Sequence, residues 1–165
     1  MECPEDIKNK ISEYYGDLSE CVCLHIRRGD YVGYTNYLLL SVQYIEHVIN
    51  THCSSMPIIC VSDDIDWCKS HLNHLNNIKF ADLHSKDEHF LIDFYIPTFT
   101  KCNVCSPSSF CMAGAMLNSN NNIYVPSPYY TYEPWNNDPE LQIIPDYATR
   151  IPYKMENKLN YILTV

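Results

Sequence analysis

Short apolar runs alternate along this chain with longer segments whose apolar residues recur at helical spacing, and few folds accommodate that rhythm. Residues 5–15 place Ile7, Ile11, Tyr14 and Tyr15 on one face and predict a helix, followed by a strand at 21–26. Ser41 stands where it would cap a helix reaching His52, with Val42, Ile45, Val48 and Ile49 turned inward. A strand at 58–62 leads into a helix at 64–73 and a strand at 78–81. Residues 88–99 predict a helix apolar on most sides, which Pro97 bends or shortens. A strand at 103–105, a helix at 108–118 and a strand at 122–125 complete the series. Strands separated by helices pair in parallel, and a parallel sheet needs both faces covered. The expected fold is therefore α/β, a Rossmann-like parallel sheet with helices on both faces. With 165 residues, 46% of them hydrophobic, the chain can build one such domain, expected at residues 1–151 with a tail at 152–165. Residues 126–140, with four prolines, three tyrosines and Trp135, read as a surface arm of that domain.

The chemistry concentrates where strands should end. Residues 23–32 read Cys-Leu-His-Ile-Arg-Arg-Gly-Asp-Tyr-Val, a buried strand running straight into a charged loop. Ligands of open α/β sheets bind at the carboxyl ends of strands. Two guanidinium groups there suit a diphosphate, because each holds two phosphate oxygens and stays charged at any biological pH. Gly29 allows close backbone approach. Adjacent strand residues point to opposite faces, so one arginine faces the ligand while the other braces the loop. Arg27 shares its face with His25 and is the expected ligand-facing residue; His25 either touches the ligand or sits in the core. Asp30 is a candidate general base, with an orienting salt bridge to arginine as its competing role. Arg28-Gly29-Asp30 also spells an adhesion tripeptide, but its place directly after a buried strand favours a strand end.

Two further strand ends carry polar residues. Ser62-Asp63-Asp64-Ile65-Asp66-Trp67-Cys68 follows the strand at 58–62. Asp64 suits a helix N-cap, which leaves Asp63 free. A carboxylate there accepts two hydrogen bonds side by side, matching the N1 and N2 edge of guanine. Asp64-x-Asp66 could suggest a metal-binding pair, but Asp66 falls in the first helical turn, where acids favour the helix dipole. Ser108, Ser109 and Phe110 open the helix after Val104-Cys105. N–H groups and hydroxyls at a helix start receive phosphate, while Ser108 as a plain cap is the simpler alternative.

His25-x-Arg27-Arg28-x-Asp30 resembles the donor-binding motif of fucosyltransferases that use GDP-fucose. In the form HIRRGDYV it is most similar to the α-1,2-fucosyltransferases of glycosyltransferase family eleven. The stretch SDDIDWC is similar to that family's second characteristic segment. Residues 107–113 resemble its third, Asn-Ser-Ser-Phe-Ser-Trp-Trp. Ser108, Ser109 and Phe110 are kept, whereas Pro107, Cys111, Met112 and Ala113 depart from it. The motifs keep the family's order, and the resemblance extends over roughly residues 20–151. It implies the donor-binding, C-terminal half of a two-domain GT-B glycosyltransferase, with the acceptor-binding domain supplied by a partner chain or a segment outside this one. It implies transfer of L-fucose from GDP-fucose to a hydroxyl of an acceptor glycan, galactose-terminated among the candidates, with inversion and an α1,2 linkage. On that reading His25, Arg27, Arg28, Asp63, Asp64, Ser108, Ser109 and Phe110 hold the donor, and Arg27 and Asp30 act in the transfer. No cofactor and no metal ion are required, since the arginines do by fixed charge what a metal does elsewhere. The alternative is a non-catalytic GDP-sugar- or glycan-binding module.

Net charge is −9 and the eleven basic residues form no run or stripe, so neither nucleic acid nor an anionic membrane surface is an expected partner. No stretch approaches the ~20 apolar residues of a membrane-spanning helix, and residues 1–16 are too charged for a signal peptide. A Golgi setting, typical of eukaryotic members of the family, would need an anchor outside this chain. Nine cysteines, an odd number, argue against a fully paired disulfide framework, and Cys102-x-x-Cys105 is the only zinc-like pair. Cys21, Cys23 and Cys60 fall in expected buried strands, where a thiol behaves as a small hydrophobe. A reducing, cytoplasmic setting is favoured.

Overall fold

The computed structural model describes residues 1–83, 89–141 and 143–153. Its elements in chain order are α1 (Glu5–Tyr15), β1 (Val22–Ile26), α2 (Val42–His52), β2 (Ile58–Ser62), α3 (Ile65–Leu72) and β3 (Ile78–Phe80). They continue with α4 (His89–Tyr95), β4 (Cys102–Cys105), α5 (Ser109–Met116), β5 (Ile123–Ser127), α6 (Glu133–Asn136) and β6 (Thr149–Pro152). The strands form one parallel sheet in the order β3-β2-β1-β4-β5-β6. That is the Rossmann order, with β1 and β4 side by side at the centre.

Side-chain alternation along the strands builds two cores. Val22, Leu24 and Ile26 of β1, with Ile58 and Cys60 of β2, pack under α2 and α3. Cys23, Ile59 and Val61 point the other way, toward Ile7 and Ile11 of α1 and Ile92 of α4. Helix α5 extends that second layer over Cys105, Ile123 and Val125. The helices take these places because each carries one apolar stripe: Tyr44, Ile45, Val48 and Ile49 in α2, Ile7, Ile11 and Tyr15 in α1. The Ser41 hydroxyl accepts the Tyr44 N–H at 3.2 Å, the expected cap of α2. Helix α4 ends at Tyr95 and tightens into a 3-10 turn over Ile96–Phe99, as Pro97 requires. A Cβ on Gly114 would lie 2.6 Å from the Phe94 carbonyl oxygen, so this glycine lets α5 rest directly on α4.

The carboxyl-terminal third departs from the reading. Strand β5 runs on to Ser127 through Pro126, and a sixth strand, β6, pairs with it. Pro126 is tolerated because β5 pairs with β4 only at Ile123 and Tyr124 and then outruns it. Strand β6 reads Thr-Arg-Ile-Pro and buries only Ile151, so it carries no alternating apolar signal. It ends at Pro152, one residue past the expected domain boundary, while residues 154–165 of the expected tail lie outside the described residues, as does Glu88. The arm at 126–140 is only partly a surface feature: Tyr129 is buried, and Asn136 receives the Tyr129 and Tyr130 N–H groups on its side-chain oxygen.

All nine cysteines are free thiols. Cys21 and Cys23 face the same layer, as strand alternation requires. Cys102 and Cys105 face opposite layers, so the Cys-x-x-Cys pair does not converge; the Cys102 sulfur lies instead 3.6 Å from that of Cys53. Among the described residues, no helix is long and apolar enough to cross a membrane.

Candidate functional site

Strand β1 crosses over to β2 through α2 on one face, whereas β4 crosses to β5 through α5 on the other. The loops leaving β1 and β4 therefore diverge and open a crevice at the sheet's carboxyl edge. Into this crevice the chain delivers its charged strand ends.

Arg27 is one-third exposed, and two carboxylates hold its guanidinium: Nη2 is 2.6 Å from Asp30 Oδ1, and Nη1 is 3.1 Å from Asp63 Oδ2. The guanidinium also stands 5.5 Å from the centre of the Tyr31 ring. Arg28 is only 4% exposed; its Nε donates to Asp64 Oδ2 at 3.2 Å and its guanidinium lies 3.9 Å over the Trp67 ring. The two arginines thus divide as their opposite strand directions require, one toward solvent and one into the wall. Asp63 ties them together, because its Oδ1 accepts the Arg28 backbone N–H at 2.8 Å. Asp64 does cap α3, accepting the Trp67 N–H at 3.2 Å. Neither carboxylate is left free: each of the four oxygens already accepts a protein donor.

Gly29 does make a close approach, to Asp63. A Cβ there would lie 2.3 Å from Asp63 Oδ2 and 3.2 Å from its Cγ.

His25 is buried, with Nδ1 3.1 Å from the Ser106 hydroxyl. That hydroxyl also accepts the Arg27 backbone N–H at 2.8 Å, so Ser106 joins the His25 ring to the backbone that carries Arg27. Burial, assisted by the nearby Arg27 charge, lowers the His25 pKa to about 4 and favours the neutral ring.

On the β4 side, Ser108 is buried at the N-cap position of α5, but its hydroxyl makes no capping bond. Its N–H donates to the Tyr129 hydroxyl at 3.0 Å. Ser109 is exposed on the first turn of α5. Phe110 packs its ring 6.0 Å from His25 and 5.5 Å from Phe94, which makes it a wall between β1 and α4. His25, Arg27, Arg28, Asp30, Asp63, Asp64 and Phe110 form one contact network through Ser106; Ser108 joins it along the chain, and Ser109 stands beside it.

Three participants were not legible in advance. Ser106 is joined to His25 and Arg27 only by the β1–β4 register, in which Cys105 opposes His25. Trp67 is recognisable as an Arg28 partner only once α3 is placed, and Tyr129 comes from the segment read as an arm.

The sequence profile of glycosyl transferase family 11 matches residues 2–144. An alpha-1,2-colitosyltransferase of Escherichia coli is 29% identical over 132 residues, 70% of this chain and 43% of that protein. The O-antigen biosynthesis glycosyltransferase WbnK of the same organism is 29% identical over 116 residues, 64% of this chain and 37% of that protein. The chain thus spans less than half the length of these two relatives. No solved structure matches it significantly.

Proposed function

Because the chain belongs to glycosyltransferase family 11, we propose that the β1/β4 crevice binds the diphosphate of a GDP-linked 6-deoxyhexose, GDP-fucose foremost. The observation that carries this reading is Arg27: an arginine at a central strand end, partly exposed and held in place by two carboxylates. Its planar fork can take two phosphate oxygens and neutralise the charge that gathers on a departing diphosphate. The exposed Asp30 is the partner that phosphate would displace, since Asp63 is anchored by a second bond to Arg28. His25 and Ser106 fix the backbone from which Arg27 projects.

The reaction proposed is an inverting transfer. A hydroxyl oxygen of the acceptor glycan bonds to the anomeric carbon, the bond from that carbon to the diphosphate breaks, and a base takes the hydroxyl proton. Arg27 stabilises the leaving group, and Asp30, once released from Arg27, is the candidate base. The α1,2 linkage, GDP-fucose as the donor and a GT-B partner domain for the acceptor belong to this proposal. The name of the colitosyltransferase relative makes a colitose donor the second candidate.

Calorimetric titration of GDP with and without EDTA tests it. Binding that survives chelation and is lost in Arg27→Ala supports the arginine account, whereas binding abolished by EDTA overturns it. Fucose transfer from GDP-fucose to lactose then separates an enzyme from a module that only binds.

A further inference from the structure

Residues 31–37, past the arginines of the β1 loop, and the segment after β5 meet at the same carboxyl edge of the sheet, and the donor reading uses neither. Tyr37 and Tyr130 form an antiparallel bridge. The Thr131 N–H donates to the Asn36 carbonyl at 3.2 Å, its hydroxyl donates to the Thr35 carbonyl, and Asn136 pins the Tyr129–Tyr130 backbone. On this fixed frame six rings run in unbroken contact. Tyr31 stacks on Tyr37 with centroids 4.1 Å apart, and Tyr34 meets Tyr37 edge-on at 6.3 Å. Trp135 continues the series, 5.6 Å from Tyr37, 5.5 Å from Tyr130 and 5.6 Å from Tyr132. The series begins at the donor site, where Arg27 stands over Tyr31. Yet Tyr34 is 65% exposed and Tyr132 46% exposed.

The geometry points to an aromatic platform that binds a neutral pyranose of the acceptor glycan beside the donor diphosphate. This rests on the donor reading and gives this chain a part in holding the acceptor, alongside the GT-B partner domain that the reading assigns to it. A pyranose has an apolar face of axial C–H bonds and a rim of hydroxyls. The negative faces of aromatic rings attract those C–H groups, and tyrosine hydroxyls meet the rim. Residues 31–37 and 128–132 include no charged side chain, and Arg27 at one end of the series is already paired with Asp30 and Asp63, so the rings themselves present a neutral surface that suits an uncharged sugar. Continuity with Arg27 puts such a sugar beside the place where the anomeric carbon would lie. Exposed aromatic surface on a rigid frame is the usual mark of a binding site.

The test titrates lactose, a neutral galactose-terminated probe, into the intact protein with GDP present, and follows saturation transfer from protein to sugar protons. Tyr34→Ala and Tyr132→Ala should each weaken lactose binding by up to about tenfold. Tyr34→Phe should retain it, and GDP affinity should be unchanged throughout. If wild-type protein binds GDP but not lactose, or if both alanine variants bind lactose as wild type does, the platform is wrong and the donor reading stands. If GDP does not bind, the donor reading fails, while the lactose series still reports on the rings. A dimer that Tyr34→Ala dissociates in sedimentation would make the patch a self-association surface and overturn the proposal.

Discussion

The Cβ that Gly29 lacks would lie 2.3 Å from Asp63 Oδ2, so the β1 loop closes on the end of β2 with no room for a side chain between them. The consequence is a single carboxylate that holds both arginines: Asp63 Oδ1 on the Arg28 backbone at 2.8 Å and Oδ2 on the Arg27 guanidinium at 3.1 Å. Gly29 has no positive φ among those found in this chain, so space, not backbone freedom, is what the position demands.

Gly29→Ala should therefore expel Asp63 and break both bonds at once. Leaving the Arg28 backbone N–H without its acceptor costs about 1–3 kcal/mol. The urea midpoint should fall accordingly and GDP affinity should fall with it. A variant as stable as wild type, with GDP binding intact, would show that Asp63 can leave without consequence.

Arg27 and Arg28 should respond oppositely to lysine. Arg28→Lys removes a buried planar cation from the Trp67 ring and from Asp64, and should lower the melting temperature in the absence of ligand. Arg27→Lys keeps the charge at a partly exposed position, so melting should change little while GDP affinity drops. Thermal melts and calorimetry on both variants check the division, and the reverse pattern would exchange the two roles.

Guanine recognition is expected at Asp63 or Asp64. Each oxygen uses one lone pair on a protein donor, and the second pair remains available to a base edge. Of Asp63→Ala and Asp64→Ala, at least one should lose the preference for GDP over ADP. Should both keep that preference in competition titrations, the base is read elsewhere.

His25 links the site to pH. Its folded pKa of about 4 lies below the ordinary 6.5, so in that window the unfolded chain binds a proton that the folded protein refuses. Stability is therefore fully present above pH 6.5 and falls as pH drops toward 4, by about 3 kcal/mol across the window. His25→Gln, which cannot take the proton but can still hydrogen-bond the Ser106 hydroxyl, should flatten this part of the profile relative to wild type. Parallel urea midpoints for the two proteins at pH 7 and pH 4.5 would remove His25 from the account.

The sequence by itself determined the alternation of β1 through β5 with their helices, the cap at Ser41, the break at Pro97 and the charged ends of β1 and β2. Each is a local matter, settled by apolar periodicity, a ring that lacks an N–H, or an oxygen within reach of a backbone donor three residues on. Only the tertiary structure decided which partners those ends would find. Asp63 meets Arg27 and Arg28 because β2 lies beside β1, and Ser106 meets His25 because β4 lies on the other side. Strand β6 escaped for the same reason: Thr149–Pro152 has little strand character of its own and is held by the edge of β5 that faces away from β4. The six-ring series likewise joins residues about a hundred positions apart, Tyr37 and Tyr130 among them. Contacts across a parallel sheet are set by strand order, and strand order depends on how the helices pack, which no single segment encodes.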